Sequence, residues 1–194
     1  WCERSEIPQS EEFPPTRLCG IIDNQIEEWK ERGYMNEVRF KRADRHDTGL
    51  VLNFIRELAK YEEMEDEVIA TEELLEEWLF EKKIAEVIFP LEDGKEVGFA
   101  LFFHNFSTFL GRAGIYLEDL YIMPEYRGRG YGKATLRELA RIAVERRCGR
   151  LEWWCLDWNK PSIDFYLALG AEPMSEWTTY RFEGESLKKM AGMK

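Results

Sequence analysis

The rhythm of apolar and polar positions changes several times along the chain, and each change marks an element. After Met35, "NEVRFKRA" alternates every second residue, as a strand does. From Asp44, "ADRHDTGLVLNFIRELAKYEEM" shifts to helical spacing, with Leu50, Phe54, Leu58 and Tyr61 on one face. Thr71 opens a second helix that ends near Trp78 and Leu79. Three strand-like runs follow, "KIAEVIFPL", "KEVGFALFFHNF" and "GIYLEDLYIM", the first two joined by the hairpin signal "EDGK". "GKATLRELARIAVERR" predicts an amphipathic helix that buries Leu136, Leu139, Ala140, Ala143 and Val144. "GRLEWWCLDW" predicts a strand, and "PSIDFYLALG" a short helix with Pro161 in its first turn and Gly170 at its stop. "WTTYRFEG" predicts a last strand.

This order predicts an α/β chain with a central mixed sheet flanked by helices, α+β in its details. Residues 114–157 have the length of a crossover between parallel strands. With no internal repeat or low-complexity run, residues 35–194 are expected to form one domain. Residues 1–34 stand apart: "SEIPQSEEFPPT" is polar and proline-rich, and "IIDNQIEEWKERG" reads as a short helix ending at Gly33. Met35 suits a natural start, so residues 1–34 are expected to be a dispensable extension.

Composition narrows the function. With 44% hydrophobic and 34% charged residues, the chain reads as a soluble globular protein. No apolar run approaches the roughly 18–20 residues of a membrane span. The N-terminus also lacks the basic-then-apolar order of a secretory signal, so the expectation is a cytoplasmic protein with no membrane partner. A net charge of −11 argues against general nucleic-acid binding and suits a cationic substrate. Cys2, Cys19, Cys148 and Cys155 form no CxxC pair, and the two histidines, His46 and His104, are far apart, so no metal site is expected. Cys155 lacks an obvious histidine partner for nucleophilic work.

The sharpest chemical signal is "EYRGRGYGKAT", where glycines recur at every second position among basic residues, between a predicted strand and a predicted helix. Amides in such a loop, with the helix N-terminus behind them, suit an anion. The spacing fits neither a nucleotide P-loop, which needs a hydroxyl where Ala134 stands, nor the dinucleotide fingerprint. It does fit R-x-x-G-x-G, as Arg127, Gly130 and Gly132. That string resembles the acyl-CoA loop of the GNAT superfamily of N-acyltransferases. "RELAKYEEMEDEV", "YLED", "YRGRGYG" and "DWNKPSIDFYLALGA" occur together in that order. As a set they resemble the diamine (spermidine/spermine) N-acetyltransferase branch and its bacterial relatives, from about Val38 to the final "LKKMA".

The resemblance implies acetyl-CoA as co-substrate, no metal, and a homodimer. It implies a loop of Arg127, Gly128, Arg129, Gly130, Tyr131, Gly132 and Lys133 around the pyrophosphate. Backbone groups of Leu120, Tyr121 and Ile122 would line the pantetheine arm, and Asn159 would orient the cofactor. Glu118 would act as base through water, Asp119 would help hold a cationic substrate, and Tyr166 would protonate the departing thiolate. Glu118 and Asp119 are adjacent, so on a regular strand only one faces the cleft, unless a bulge re-aims them. Residues 57–77 hold ten acids and one lysine, which fits a cationic substrate or a plain solvated face. Between Phe103 and Gly114 the chain departs from the diamine enzymes: "HNFSTFLGRAG" has no acid and adds Arg112. A lysine-like or thialysine-like amine, whose carboxylate Arg112 would meet, therefore stands beside a polyamine as the acceptor. Acyl-CoA binding without turnover, and action on peptides or proteins, are the alternatives.

Overall fold

The computed structural model describes residues 38–193. The expected helix before Gly33 and the proposed start at Met35 lie outside them. Contacts divide the chain into two compact units that meet at the Trp153–Trp154 bond, and each is described by itself.

The first unit is built on a sheet. Its strands are β1 (Arg39–Arg42), β2 (Glu86–Glu92), β3 (Lys95–Glu96), β4 (Gly98–Ser107), β5 (Arg112–Ile122) and β6 (Leu151–Trp153). They run in the order β1-β2-β4-β5-β6, with β3 paired to β2 alone. Every pairing is antiparallel except β5 with β6. The "EDGK" turn joins β2 to β3, and Asp93 and Gly94 both take positive φ, as a tight hairpin turn demands. Helix α1 (Thr48–Tyr61) and helix α2 (Glu72–Leu75, continued by a π turn over Glu76–Glu81) follow β1. Thr71 caps α2, its hydroxyl accepting from the Leu74 amide. Helix α3 (Tyr131–Glu145) is the crossover between β5 and β6.

The core follows from alternation. Val51 and Phe54 of α1, Leu79 of the π turn, Val87 and Phe89 of β2, Phe99 of β4 and Tyr121 of β5 form one buried cluster. Phe54 stacks on Phe99 with ring centroids 5.6 Å apart. Residues next to these along a strand point to the other face. Ile122, next to Tyr121, packs there with Tyr131 of α3, and Val97, between β3 and β4, joins them.

Two expectations change in this unit. Helix α3 buries Thr135, Leu136, Leu139, Ile142 and Ala143, while Ala140 and Val144 face solvent, so its inner face is rotated from the predicted one. The Thr135 hydroxyl donates to the Tyr131 carbonyl at 2.9 Å, which lets a polar residue lie fully buried. Strand β6 is three residues rather than the whole of "GRLEWWCLDW".

The second unit holds α4 (Lys160–Ala168) and α5 (Gly184–Met190). Asn159 caps α4, its side-chain oxygen accepting from the Ser162 amide at 3.4 Å, and Gly170 ends the turn beyond it at φ +86°. The predicted strand in "WTTYRFEG" does not form: residues 178–183 are irregular, since an alternating run needs a partner strand to become one. Helix α5 was not anticipated.

Candidate active site

Strand β5 carries Glu118 and Asp119, and a bulge in it decides which way these acids point. Leu101 lies opposite Asp119, but Phe102 lies opposite Leu117, so Glu118 is an extra residue with no partner on β4. Leu101 packs against the α1–α2 cluster, and cross-strand partners share a face, so Asp119 lies on that face. Alternation from Leu117 places Glu118 there too. The bulge thus brings both carboxylates to one side of the sheet, where an unbroken strand would have split them.

Their surroundings are acidic. Burial, then the carboxylates of Glu118 and Glu62, push the Asp119 carboxyl up to about 7. Burial also pushes Glu62 upward. Glu62 caps the C-terminal end of α1, where the helix dipole adds negative potential. Glu118 itself is exposed. Sequence reasoning missed Glu62 as a site residue, and its only signal was one acid among ten.

The same bulge marks a change on the other edge of β5. Pairing with β6 runs from Ile115 to Leu117 and stops. From Glu118 to Ile122, β5 pairs only with β4 among the described strands. The Met123 amide donates to the Val97 carbonyl, so Met123 faces β4, and alternation turns the backbone groups of Ile122 and Leu120 away from it. This open edge offers the Leu120 amide and carbonyl and the Ile122 amide to an extended ligand, as strand addition does.

The glycine loop follows β5 through a short turn at Pro124–Tyr126. Gly128 and Gly130 have φ of +72° and +89°, and an added Cβ at either would meet nothing within 4 Å. Glycine is there for backbone conformation rather than for crowding. Gly130, the N-cap of α3, makes no side-chain capping hydrogen bond. The loop's larger side chains turn to the protein. Arg127 donates through Nε to the Ile122 carbonyl at 2.8 Å, and its guanidinium lies 4.6 Å from the Tyr61 ring centroid and 5.3 Å from that of Tyr121. Arg129 pairs with Glu92, which also accepts from the Tyr131 hydroxyl at 2.8 Å. Lys133 stands exposed on the first turn of α3. Side chains therefore pin the loop on both sides, and a glycine-rich main chain leading into a helix N-terminus fits the diphosphate of coenzyme A. Glu92, which holds two loop residues, left no mark in the sequence pattern.

Of the remaining expected residues, Arg112 and His104 belong to the first unit and Asn159 and Tyr166 to the second. Arg112 begins β5 six positions before Glu118, about 20 Å away along the strand, so within the chain it does not reach the acids. His104 sits 3.4 Å from the Arg146 guanidinium, in a group where Arg42 and Arg146 also hold Glu86. In the second unit, Asn159 is buried at the N-cap of α4, and Tyr166 lies half-buried on that helix with its ring against Phe165. Cys155 is partly buried. Among the described residues no group of histidine, cysteine or acidic side chains could hold a metal, and no helix is long and apolar enough to cross a membrane.

Comparison with known proteins bears on the family of the chain. Residues 52–171 match the family described as "Acetyltransferase (GNAT) family". The chain is 38% identical over 167 residues to a thialysine N-epsilon-acetyltransferase of Bos taurus, covering 80% of this chain and 98% of that protein. It is 33% identical to spermidine/spermine N(1)-acetyltransferase-like protein 1 of Homo sapiens, over 81% of this chain and 24% of that one. An integron cassette protein from the mobile metagenome of V. cholerae superimposes with a TM-score of 0.68 at 31% identity, covering 81% of this chain and 99% of its own. An anion-shaped loop, an open strand edge and two carboxylates gathered by a bulge thus sit in a chain that belongs to the GNAT acetyltransferase family and is an N-acetyltransferase.

Proposed function

We propose that the protein moves an acetyl group from acetyl-CoA to a primary amine of a small cationic acceptor, by direct attack in a ternary complex. The bulge at Glu118 carries this reading, because it sets two acids on one face beside the open edge of β5. An amine with a pKa near 10.4 is neutral in fewer than about one molecule in a thousand at pH 7. A base must therefore take its proton, and Glu118, the more exposed acid, does so through water. Asp119 and Glu62 supply the negative potential that holds the cation. The Leu120 and Ile122 backbone lines the pantetheine arm, with an amide there to stabilise the oxyanion. Tyr166 returns a proton to the thiolate, a mismatch of about 1.5 pKa units, or about 2 kcal/mol, that a positioned hydrogen bond tolerates.

The bovine relative's acceptor makes thialysine or a lysine-like amine the first candidate. A polyamine is the second reading, favoured by the three clustered acids and by the placement of Arg112 at the far end of β5. Met174, Trp177, Tyr180 and Phe182 of the second unit are exposed, which is compatible with the homodimer that completes this reading.

The test is thiol release from acetyl-CoA against thialysine, lysine, spermidine, spermine and short peptides. Turnover with thialysine and lysine but not with polyamines establishes the first reading, and the reverse establishes the second. Turnover with peptides alone moves the protein to another acceptor class. Binding of acetyl-CoA without turnover on any of them overturns the catalytic reading.

A further inference from the structure

The arginine of the loop motif looks at first like a phosphate ligand, but its contacts are with the protein. Its Nε is committed to the Ile122 carbonyl at 2.8 Å. Its planar face lies against two tyrosines, Tyr61 at 4.6 Å and Tyr121 at 5.3 Å. Both distances are within the range of cation–π attraction. The two rings come from different elements. Tyr121 belongs to β5, between the two residues whose backbone forms the open edge. Tyr61 is the last residue of α1, next to Glu62, whose charge is felt at Asp119. Three pieces therefore meet at one side chain: the glycine loop, the strand edge and the helix end that carries an acceptor-side acid.

We propose that Arg127 is a positioning residue that couples acceptor binding to acetyl-CoA binding, by tying the glycine loop to the last turn of α1 and to the edge of β5. This rests on the acetyltransferase reading above. A cation held between Glu62 and Asp119 steadies the end of α1. Tyr61 then steadies Arg127, and Arg127 sets the loop amides where a diphosphate meets them. Linkage makes the effect reciprocal, so bound coenzyme A improves acceptor affinity by the same factor. Lysine cannot replace Arg127, because it lacks both the flat face and the Nε donor.

The experiment uses the full chain and coenzyme A as probe. Binding is measured by calorimetry over a range of salt for wild type, Arg127→Met, Arg127→Lys, Tyr61→Leu, Tyr61→Phe and the Arg127→Met/Tyr61→Leu double variant, with thermal midpoints recorded to confirm folding. The expected result is about tenfold weaker binding for Arg127→Met, Arg127→Lys and Tyr61→Leu, with KM for acetyl-CoA raised more than kcat is lowered. Tyr61→Phe keeps the ring and restores affinity. The double variant is no worse than either single one, because both remove one linkage. A loss confined to Arg127 variants, with the salt dependence shallower by about one phosphate contact and Tyr61→Leu at wild-type affinity, overturns the proposal. Hydrogen exchange of the ligand-free protein separates this idea from the reading beneath it. Faster exchange at the Gly128–Lys133 amides in Tyr61→Leu supports the linkage even if wild type fails to bind coenzyme A, a failure that refutes the acetyltransferase reading instead. Unchanged exchange there overturns the linkage.

Discussion

Asp119→Asn isolates the electrostatic consequence of the bulge. In the folded protein, burial and the charges of Glu118 and Glu62 push the Asp119 carboxyl from its ordinary 3.8 up to about 7. Between those values the folded chain keeps a proton that the unfolded chain has released. Stability is therefore undiminished by this group below the lower value and falls as pH rises, until the folded carboxyl has also ionised near the upper one. At about 1.4 kcal/mol per pH unit, the full cost is about 4 kcal/mol, shared with the acids that crowd it. Asparagine keeps the shape and removes the charge. Urea denaturation of both proteins from pH 5 to pH 8 should show the variant gaining on wild type by about 3 kcal/mol across that range. On the proposed function the same titration should touch catalysis, since a cationic acceptor held at Asp119 would pull its proton off as it binds. KM for the amine should fall as pH rises through 7 in wild type, and less so in the variant. A stability difference that is equal at pH 5 and pH 8 would show that the carboxyl is not raised and would refute the reasoning.

Tyr166→Phe should lower kcat by at least about tenfold while leaving acetyl-CoA affinity near wild type, as steady-state kinetics with both substrates will show. Gly130→Ala places a Cβ in open space but at φ +89°, so the variant should lose about 1 kcal/mol in thermal denaturation and raise KM for acetyl-CoA without a matching fall in kcat. Gly98→Ala fails for a different reason: its Cβ would collide with the Tyr121 carbonyl oxygen, a backbone atom that cannot step aside. That variant should lose about 1–3 kcal/mol.

What the sequence disclosed was local. Thr71, Pro161 and Gly170 mark helix ends through their own bonds and torsions, and their signals needed no partner. The glycine loop was legible for the same reason, since φ is a property of one residue. The extra residue at Glu118 was not, because register belongs to two strands, and β4 alone carries no sign that Leu101 and Phe102 skip a place. The direction of Arg127 was hidden likewise: it depends on Tyr61, more than sixty positions earlier, being the last residue of α1. Thr135 misled the pattern of α3 because a hydroxyl bonded to its own helix counts as polar in sequence and behaves as apolar in the core.

The open edge of β5 has a cost outside catalysis. Unsatisfied amides and carbonyls on a strand between apolar residues are a template for edge-to-edge aggregation, and most proteins cover or charge such edges. On the function proposed above, the stretch from Leu120 to Ile122 stays open to receive the co-substrate, whose binding would then also protect it. A pantetheine arm lying along that edge, as the proposed function has it, would keep other chains from it. Cells that hold abundant coenzyme A would thus shield the protein as they supply it, and purified protein should keep longest when stored with coenzyme A present.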